Sequence, residues 1–193
     1  MDRPTESGHT MIELVIVFIV IIAMASVCLP SARAYFAETN VLSAARKFKA
    51  DFMKTRTDAI RSGEYRAIRF ERCPAGDCYS VYRDADGDGV RSDDITRGRD
   101  KRVAGPFTLS AGAPGVRIAI NPGVQAIPPE QGLLEGDPIR FGRAEMISFS
   151  PLGGATPGTF YLAGDSAQAA VRVTGATGRV RLMFWRGHWR ERS

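Results

Sequence analysis

Residues 9–29 read HTMIELVIVFIVIIAMASVCL, and the interpretation of this stretch decides how the rest of the chain is read. From Met11 to Leu29 it offers 19 residues, nearly all apolar, with a single charge at Glu13. At about 1.5 Å of rise per residue, a helix of that length spans roughly 28 Å, close to one hydrocarbon core. A carboxylate near the head of such a segment costs roughly 2.5–3.5 kcal/mol on insertion scales, so a chain that keeps one needs a partner for it.

Beyond Pro30 the pattern turns amphipathic. Val41, Ala45, Phe48, Phe52, Ala59 and Ile60 recur at intervals of three and four, with Arg46, Lys47, Lys49, Lys54 and Arg56 between them. The spacing predicts that the helix continues, kinked near Pro30, to about Arg61, where Ser62-Gly63 supplies a stop. After Gly63, short alternating or aromatic runs follow at residues 64–72, 78–83, 115–120, 145–150, 158–163, 169–174 and 178–185, with Gly and Pro clustered between them. The Pro/Gly-rich stretch 121–137 reads as a surface loop. The fold class expected is α+β: a long helix, its first half in the membrane, packed on an antiparallel β domain. Four segments result: a polar leader at residues 1–8, a transmembrane half-helix at 9–30, an amphipathic half at 31–62 and a β domain at 63–193.

The chain has 193 residues, 44% hydrophobic and 24% charged, which suits one folded domain plus the apolar segment. The net charge of +5 is unevenly placed. From Val171 onward, Arg172, Arg179, Arg181, Arg186, Arg190 and Arg192 face one acid, Glu191, which points to a phosphate or an anionic surface as partner, or to a solubilising tail. Of the three cysteines, Cys28 lies in the apolar run. Cys73 and Cys78 bracket a Pro/Gly turn, as a short-loop disulfide in an oxidising compartment would require. A zinc site would need more ligands than His9 and His188 supply.

Three readings compete for the N-terminus. Residues 31–34 (SARA) resemble a signal-peptidase site, but that reading wants a positive n-region, and Asp2, Arg3 and Glu6 stand there. A lipoprotein signal would place a small residue before Cys28, where Val27 is found. The third reading rests on GHTMIEL (residues 8–14), which resembles the type III signal of type IV pilins and type II secretion pseudopilins. Gly8 matches the residue before the cleavage site, Thr10 and Ile12 match, and Glu13 falls on the acid at the fifth mature position. Pro30 falls where these proteins often carry a helix-kinking proline, and His9 replaces the usual phenylalanine. Further along, FSPLGG (149–154) and GRVR (178–181) resemble the F-x-P-x-G turn and terminal G-R-x-R of the GspH/FimT group, which comprises H-type pseudopilins and FimT-like minor pilins.

The resemblance implies that a prepilin peptidase cuts between Gly8 and His9 and that the amine of His9 is methylated. Glu13 would then pair with a mature N-terminal amine, on its own chain or a neighbour, during assembly. It also implies a single-pass protein of the bacterial inner membrane with its globular domain in the periplasm. That protein would join other minor and major pilins or pseudopilins near the tip of a type II secretion pseudopilus or a type IV pilus. In FimT-like minor pilins the terminal G-R-x-R contacts DNA, which carries over to Arg179 and Arg181. Arg172, Arg186 and Arg190 extend the basic set, with exposed aromatics available to stack on bases. A reading from a different class is a secreted adhesive or calcium-binding β domain released after SARA.

For chemistry beyond binding the residues offer little. DADGDGVRSDDI (84–95) has carboxylates at Asp84, Asp86 and Asp88 with a glycine at loop position 6, the first half of a calcium loop, but Ile95 stands at position 12. Asp-Gly pairs are also ordinary hairpin turns, so calcium and a solvated turn both remain open. A nucleophile would need a base, and His188 is the one histidine beyond the apolar run. P-loop and dinucleotide fingerprints are missing. The expectation is a non-enzyme with no cofactor.

Overall fold

The structure is a computed structural model that describes residues 11–74, 76–108 and 113–192, the side chains of 27–34 excepted. Helix α1 (Met11–Ser62) opens the described chain. The chain divides into two compact units, one up to Phe36 and the other Ala37–Ser193. In the first, the side chains of Ile12, Leu14 to Ile22 and Met24 are exposed, and Glu13 lies in the first helical turn. Among the described residues, no helix is long and apolar enough to cross a membrane. The apolar run read from the sequence passes into residues 27–34, so the transmembrane expectation extends beyond the described side chains. Gly8 and His9 also lie outside the described residues.

In the second unit α1 buries Val41, Ala44, Ala45, Phe48, Phe52, Thr55 and Ala59, one stripe at three- and four-residue spacing. Ile60, counted in that stripe from sequence, is exposed instead, because it falls a step past Ala59 and off the buried face. The Thr55 hydroxyl donates back to the Asp51 carbonyl at 2.8 Å, so its burial leaves no orphan. Gly63, at φ 69°, takes the left-handed conformation that ends the helix.

The remaining chain forms two antiparallel sheets. The first has the order β3-β2-β1-β5, built from β1 (Arg66–Cys73), β2 (Gly76–Arg83), β3 (Lys101–Thr108) and β5 (Met146–Phe149). The second has the order β4-β6-β7-β8-β9, built from β4 (Ile139–Arg140), β6 (Gly158–Ala163), β7 (Gln168–Val173), β8 (Val180–Trp185) and β9 (Trp189–Arg192). The helix stripe and the inner faces of both sheets share one core. Its aromatic centre places Phe48 of α1 4.7 Å from Phe160 of β6 and 5.1 Å from Tyr79 of β2. Phe70 of β1 stacks on Phe160 at 4.8 Å. Burial and a 2.6 Å hydrogen bond donated to Asp51 raise the Tyr79 hydroxyl above its ordinary range.

Two departures from the sequence reading have physical causes. Residues 115–120 are not a strand; they lie along the sheet edge through a single bridge, Arg117 to Ala163. The loop 121–137 is not merely superficial. Val124, Ala126, Ile127 and Leu134 are buried against Tyr161 and Ala170, forming a second small core on the outer face of the second sheet. Gln168, buried, anchors this loop: its amide donates to Ala119 O (3.1 Å) and Leu162 O (3.0 Å), and its carbonyl accepts from Asn121 N at 2.8 Å.

The acidic stretch leads from β2 into a short helix α2 (Ser92–Thr96). Asp84 is buried, and its carboxylate accepts the backbone N–H groups of Asp86 (3.1 Å), Gly87 (2.8 Å) and Gly89 (2.9 Å). Burial alone would raise its pKa, but the three donors outweigh it and hold the carboxyl below the ordinary range.

Two predictions follow from this packing. Phe52→Ala is expected to lower the unfolding free energy by about 3–5 kcal/mol. Met53→Ala, at the next position and exposed, is expected to change it by less than about 0.5 kcal/mol, both read from urea melts of residues 37–193. Asp84→Asn is expected to cost about 1–2 kcal/mol at neutral pH. Because the folded pKa is depressed, this contribution is present above the unfolded carboxyl value of about 3.9 and lost as pH falls through the folded value. Melts repeated down the pH scale should therefore show the gap between wild type and variant closing in acid.

Candidate functional surface

The outer face of the second sheet carries the basic residues in an order that the register dictates. Arg140 lies opposite Thr159, Thr159 opposite Arg172, and Arg172 opposite Arg181. Directly opposed side chains share a face, so these residues form one row across four strands. Val180, Leu182 and Phe184 point to the core, which places Arg181 outward as the alternation of β8 requires. Arg179 stands beside the row, just before β8. Glu130 lies 3.5 Å from Arg140 and 3.9 Å from Arg172. Glu191 lies 3.5 Å from Arg179 and 3.9 Å from Arg181. The row is therefore basic but partly neutralised, and its exposed pairs contribute about 0–1 kcal/mol each to stability. A cavity of about 420 Å³ opens beside Glu130, Arg140, Thr159 and Arg172.

The five arginines proposed from sequence as one set do not form one. Arg186 and Arg190 flank the β8–β9 turn, at the opposite end of the sheet from Arg179. Arg186 is instead ion-paired with Glu38 of α1, and the Arg190 Nε donates to His188 Nε2. Arg140 joins the row unannounced. It sits on a two-residue strand inside a Pro/Gly-rich stretch, where no alternation marks it. Glu191, one residue before the C-terminal arginine, was visible only as an acid in a basic tail.

The position of Arg179 and Arg181 is set by α1. The Arg56 side chain donates from Nε to Gly153 O (3.0 Å) and from Nη2 to Thr177 O (3.1 Å). Gly178, at φ 58°, must be glycine: a Cβ there would stand 2.3 Å from Gly153 O and 2.6 Å from Arg56 Nε. The F-x-P-x-G turn ending at Gly153 and the G-R-x-R beginning at Gly178 thus meet on one guanidinium group.

At the acidic loop, Asp84, Asp86 and Asp88 each offer an oxygen within 4.8 Å of the other two. Desolvation and the neighbouring Asp86 push the Asp88 carboxyl up. These carboxylates supply three of the six to eight oxygens calcium takes, so backbone carbonyls or water would have to supply the rest. Asp84 already accepts three N–H groups, and Arg91 pairs with Asp88 at 2.7 Å. Ile95, where a calcium loop would place its bidentate acid, packs instead on a cluster of Ala67, Tyr82, Val90 and Met146. The loop is built as a turn. Cys73 and Cys78 are bonded across the β1–β2 hairpin, their Cα atoms 5.9 Å apart.

Comparison with known protein families matches residues 44–178 to the family described as type II transport protein GspH. No curated protein and no solved structure gives a match. The matched residues run from the buried stripe of α1 through the first sheet and strands β4, β6 and β7 of the second to Gly178, and stop before β8 and β9. By that match, on an α+β fold with its N-terminal helix packed on antiparallel sheets, the chain belongs to the GspH family.

Proposed function

We propose that the protein is a non-catalytic minor pseudopilin or minor pilin, anchored by its N-terminal helix in the inner membrane with Ala37–Ser193 in the periplasm. A prepilin peptidase would remove residues 1–8, and the subunit would then join a type II secretion pseudopilus or a related type IV filament. Beside the family match, the observation that carries the reading is Glu13. It is the one charged side chain in the first turns of a helix whose surface from Met11 to Met24 is otherwise apolar. In a filament, a carboxylate there pairs with the mature N-terminal amine of His9, on its own or a neighbouring subunit, and sets axial register. Removing one partner of a buried pair costs about 3–5 kcal/mol. Glu13→Ala is accordingly expected to enter the membrane like wild type, yet to lose filament incorporation at least about ten-fold. Cross-linking to neighbouring subunits measures this, and undiminished incorporation would count against the assembly role.

The Arg140–Arg172–Arg181 row supports a second reading, in which the subunit binds DNA without sequence preference. With Arg179 beside the row there are four arginines, and pairing with Glu130 and Glu191 leaves about two positive charges available, so the log-log salt slope on duplex DNA should be roughly −2. Glu191→Gln should steepen the slope by about one, and Arg179→Gln with Arg181→Gln should abolish binding. Fluorescence anisotropy of residues 37–193 at several salt concentrations provides the measurement. An unchanged slope in both variants would remove DNA from the account and leave the secretion subunit.

A further inference from the structure

The turn between β8 and β9, residues 186–188, is flanked by Trp185 and Trp189, the only two tryptophans in the chain. They are cross-strand partners with ring centroids 5.5 Å apart, each half-buried on the second small core. The Trp189 indole donates to Gln125 O at 2.6 Å, which fixes its polar edge. Arg186, His188 and Arg190 are exposed at the same turn, Arg190 on the other face of β9, opposite Phe184.

The location of this turn gives it a partner. Ala163 pairs with Gln168, and Gln168 with Trp185, so the β6–β7 and β8–β9 turns lie at the same end of the sheet. Both abut the first turn of α1 within Ala37–Ser193. Arg186 pairs with Glu38, and a Cβ on Gly164 would come within 2.7 Å of Val41 Cγ2. This is the end at which the chain enters the domain. The last residue of the apolar run, Leu29, is nine helical residues before Glu38, a tether of at most about 14 Å at any angle between the two units. The interfacial layer adds about 5–7 Å beyond the hydrocarbon core, and an arginine or tryptophan side chain reaches several more. Tyr35 and Phe36, both exposed, also lie on that tether.

Charge at this end is nearly balanced. Arg186 is matched by Glu38 and Arg117 by Asp165 at 3.7 Å, which leaves Arg190 without a carboxylate among the described pairs. Amphipathic tryptophans beside an arginine favour the headgroup level of a bilayer.

We propose that the β8–β9 turn docks on the headgroup layer of the membrane that holds the N-terminal segment, with Trp185 and Trp189 at the interface and Arg190 on an anionic headgroup. The proposal rests on residues 11–29 being a membrane segment. Docking holds the domain down before assembly, and entry into a filament releases the turn.

Because the chain has no other tryptophan, its indole emission reports this turn alone. The test uses the full chain reconstituted in vesicles of phosphatidylcholine alone or mixed with phosphatidylglycerol, with a nitroxide on a fraction of the headgroups. Flotation first establishes whether the chain is in the bilayer. The expected result is strong quenching in the anionic vesicles and weaker quenching in the neutral ones. Arg190→Gln should weaken docking in anionic vesicles by about five-fold, the equivalent of one basic residue near a charged surface. A chain that floats with the vesicles but shows no quenching, or equal quenching in both compositions, overturns the docking and leaves the membrane segment intact. A chain that fails to float overturns both.

Discussion

Phe48 touches everything that has to stay together. From α1 it reaches Phe160 of the second sheet at 4.7 Å and Tyr79 of the first at 5.1 Å, while Phe70 of the first sheet stacks on Phe160 at 4.8 Å. Two sheets of four and five strands each have an apolar face, and they meet directly where Phe70 stacks on Phe160, with the helix stripe closing the rest of the core. The aromatic contact makes the helix a third wall of one core. Tilted and stacked aromatic pairs of this kind add about 0.5–1.5 kcal/mol beyond the area they bury. The stripe from Val41 to Ala59 is therefore less a property of the helix than of the two inner faces it must satisfy at once.

This explains which parts of the fold were legible in the sequence. The helix stripe was, because large apolar side chains recur at a period no strand shares, and only Ile60 strayed from it. Strands β1, β2, β5, β6, β7 and β8 were legible because each alternates or runs apolar against the shared core. Strand β3 was not. It is an edge strand whose side chains are mostly exposed, opened by Lys101 and Arg102 and interrupted by Gly105-Pro106. Gly105 is demanded by its neighbour, since a Cβ would stand 2.9 Å from Tyr79 O, a tertiary constraint that leaves no periodic trace. Strands β4 and β9 are two and four residues long, too short for a pattern to declare itself. The core under residues 121–137 was hidden for a related reason. Its apolar residues are scattered among prolines and glycines, and only the outer face of the second sheet gathers them.

The candidate surface was legible in composition and illegible in arrangement. A tail rich in arginine announces a basic surface, and the outward phase of Arg179 and Arg181 follows from strand alternation alone. Position along the strand is another matter. A hairpin returns the chain through its own length, so Arg181 and Arg190, close in sequence, lie toward opposite ends of the sheet. Arg172, from another strand, comes to lie beside Arg181, and Arg140, from a distant segment, joins the same row two strands beyond Arg172. The same folding-back brings Glu191 between Arg179 and Arg181, which lowers the field that a count of arginines would suggest.

What joins this surface to the helix is a single side chain with two glycine-lined receptors. Arg56 could not donate to both Gly153 O and Thr177 O if either Gly153 or Gly178 carried a Cβ, since each would crowd the guanidinium at 3.0 Å or less. The glycines of the two C-terminal motifs are thus complementary to a residue more than 90 positions upstream. Their separation in sequence conceals that they serve one contact. The consequence is mechanical. The backbone that presents Arg179 is held against α1 a few residues from its end, while the turn bearing the tryptophans is held against the same helix at Glu38. Any assembly that orients this part of the helix orients the basic row and the aromatic turn with it, at opposite ends and in fixed relation.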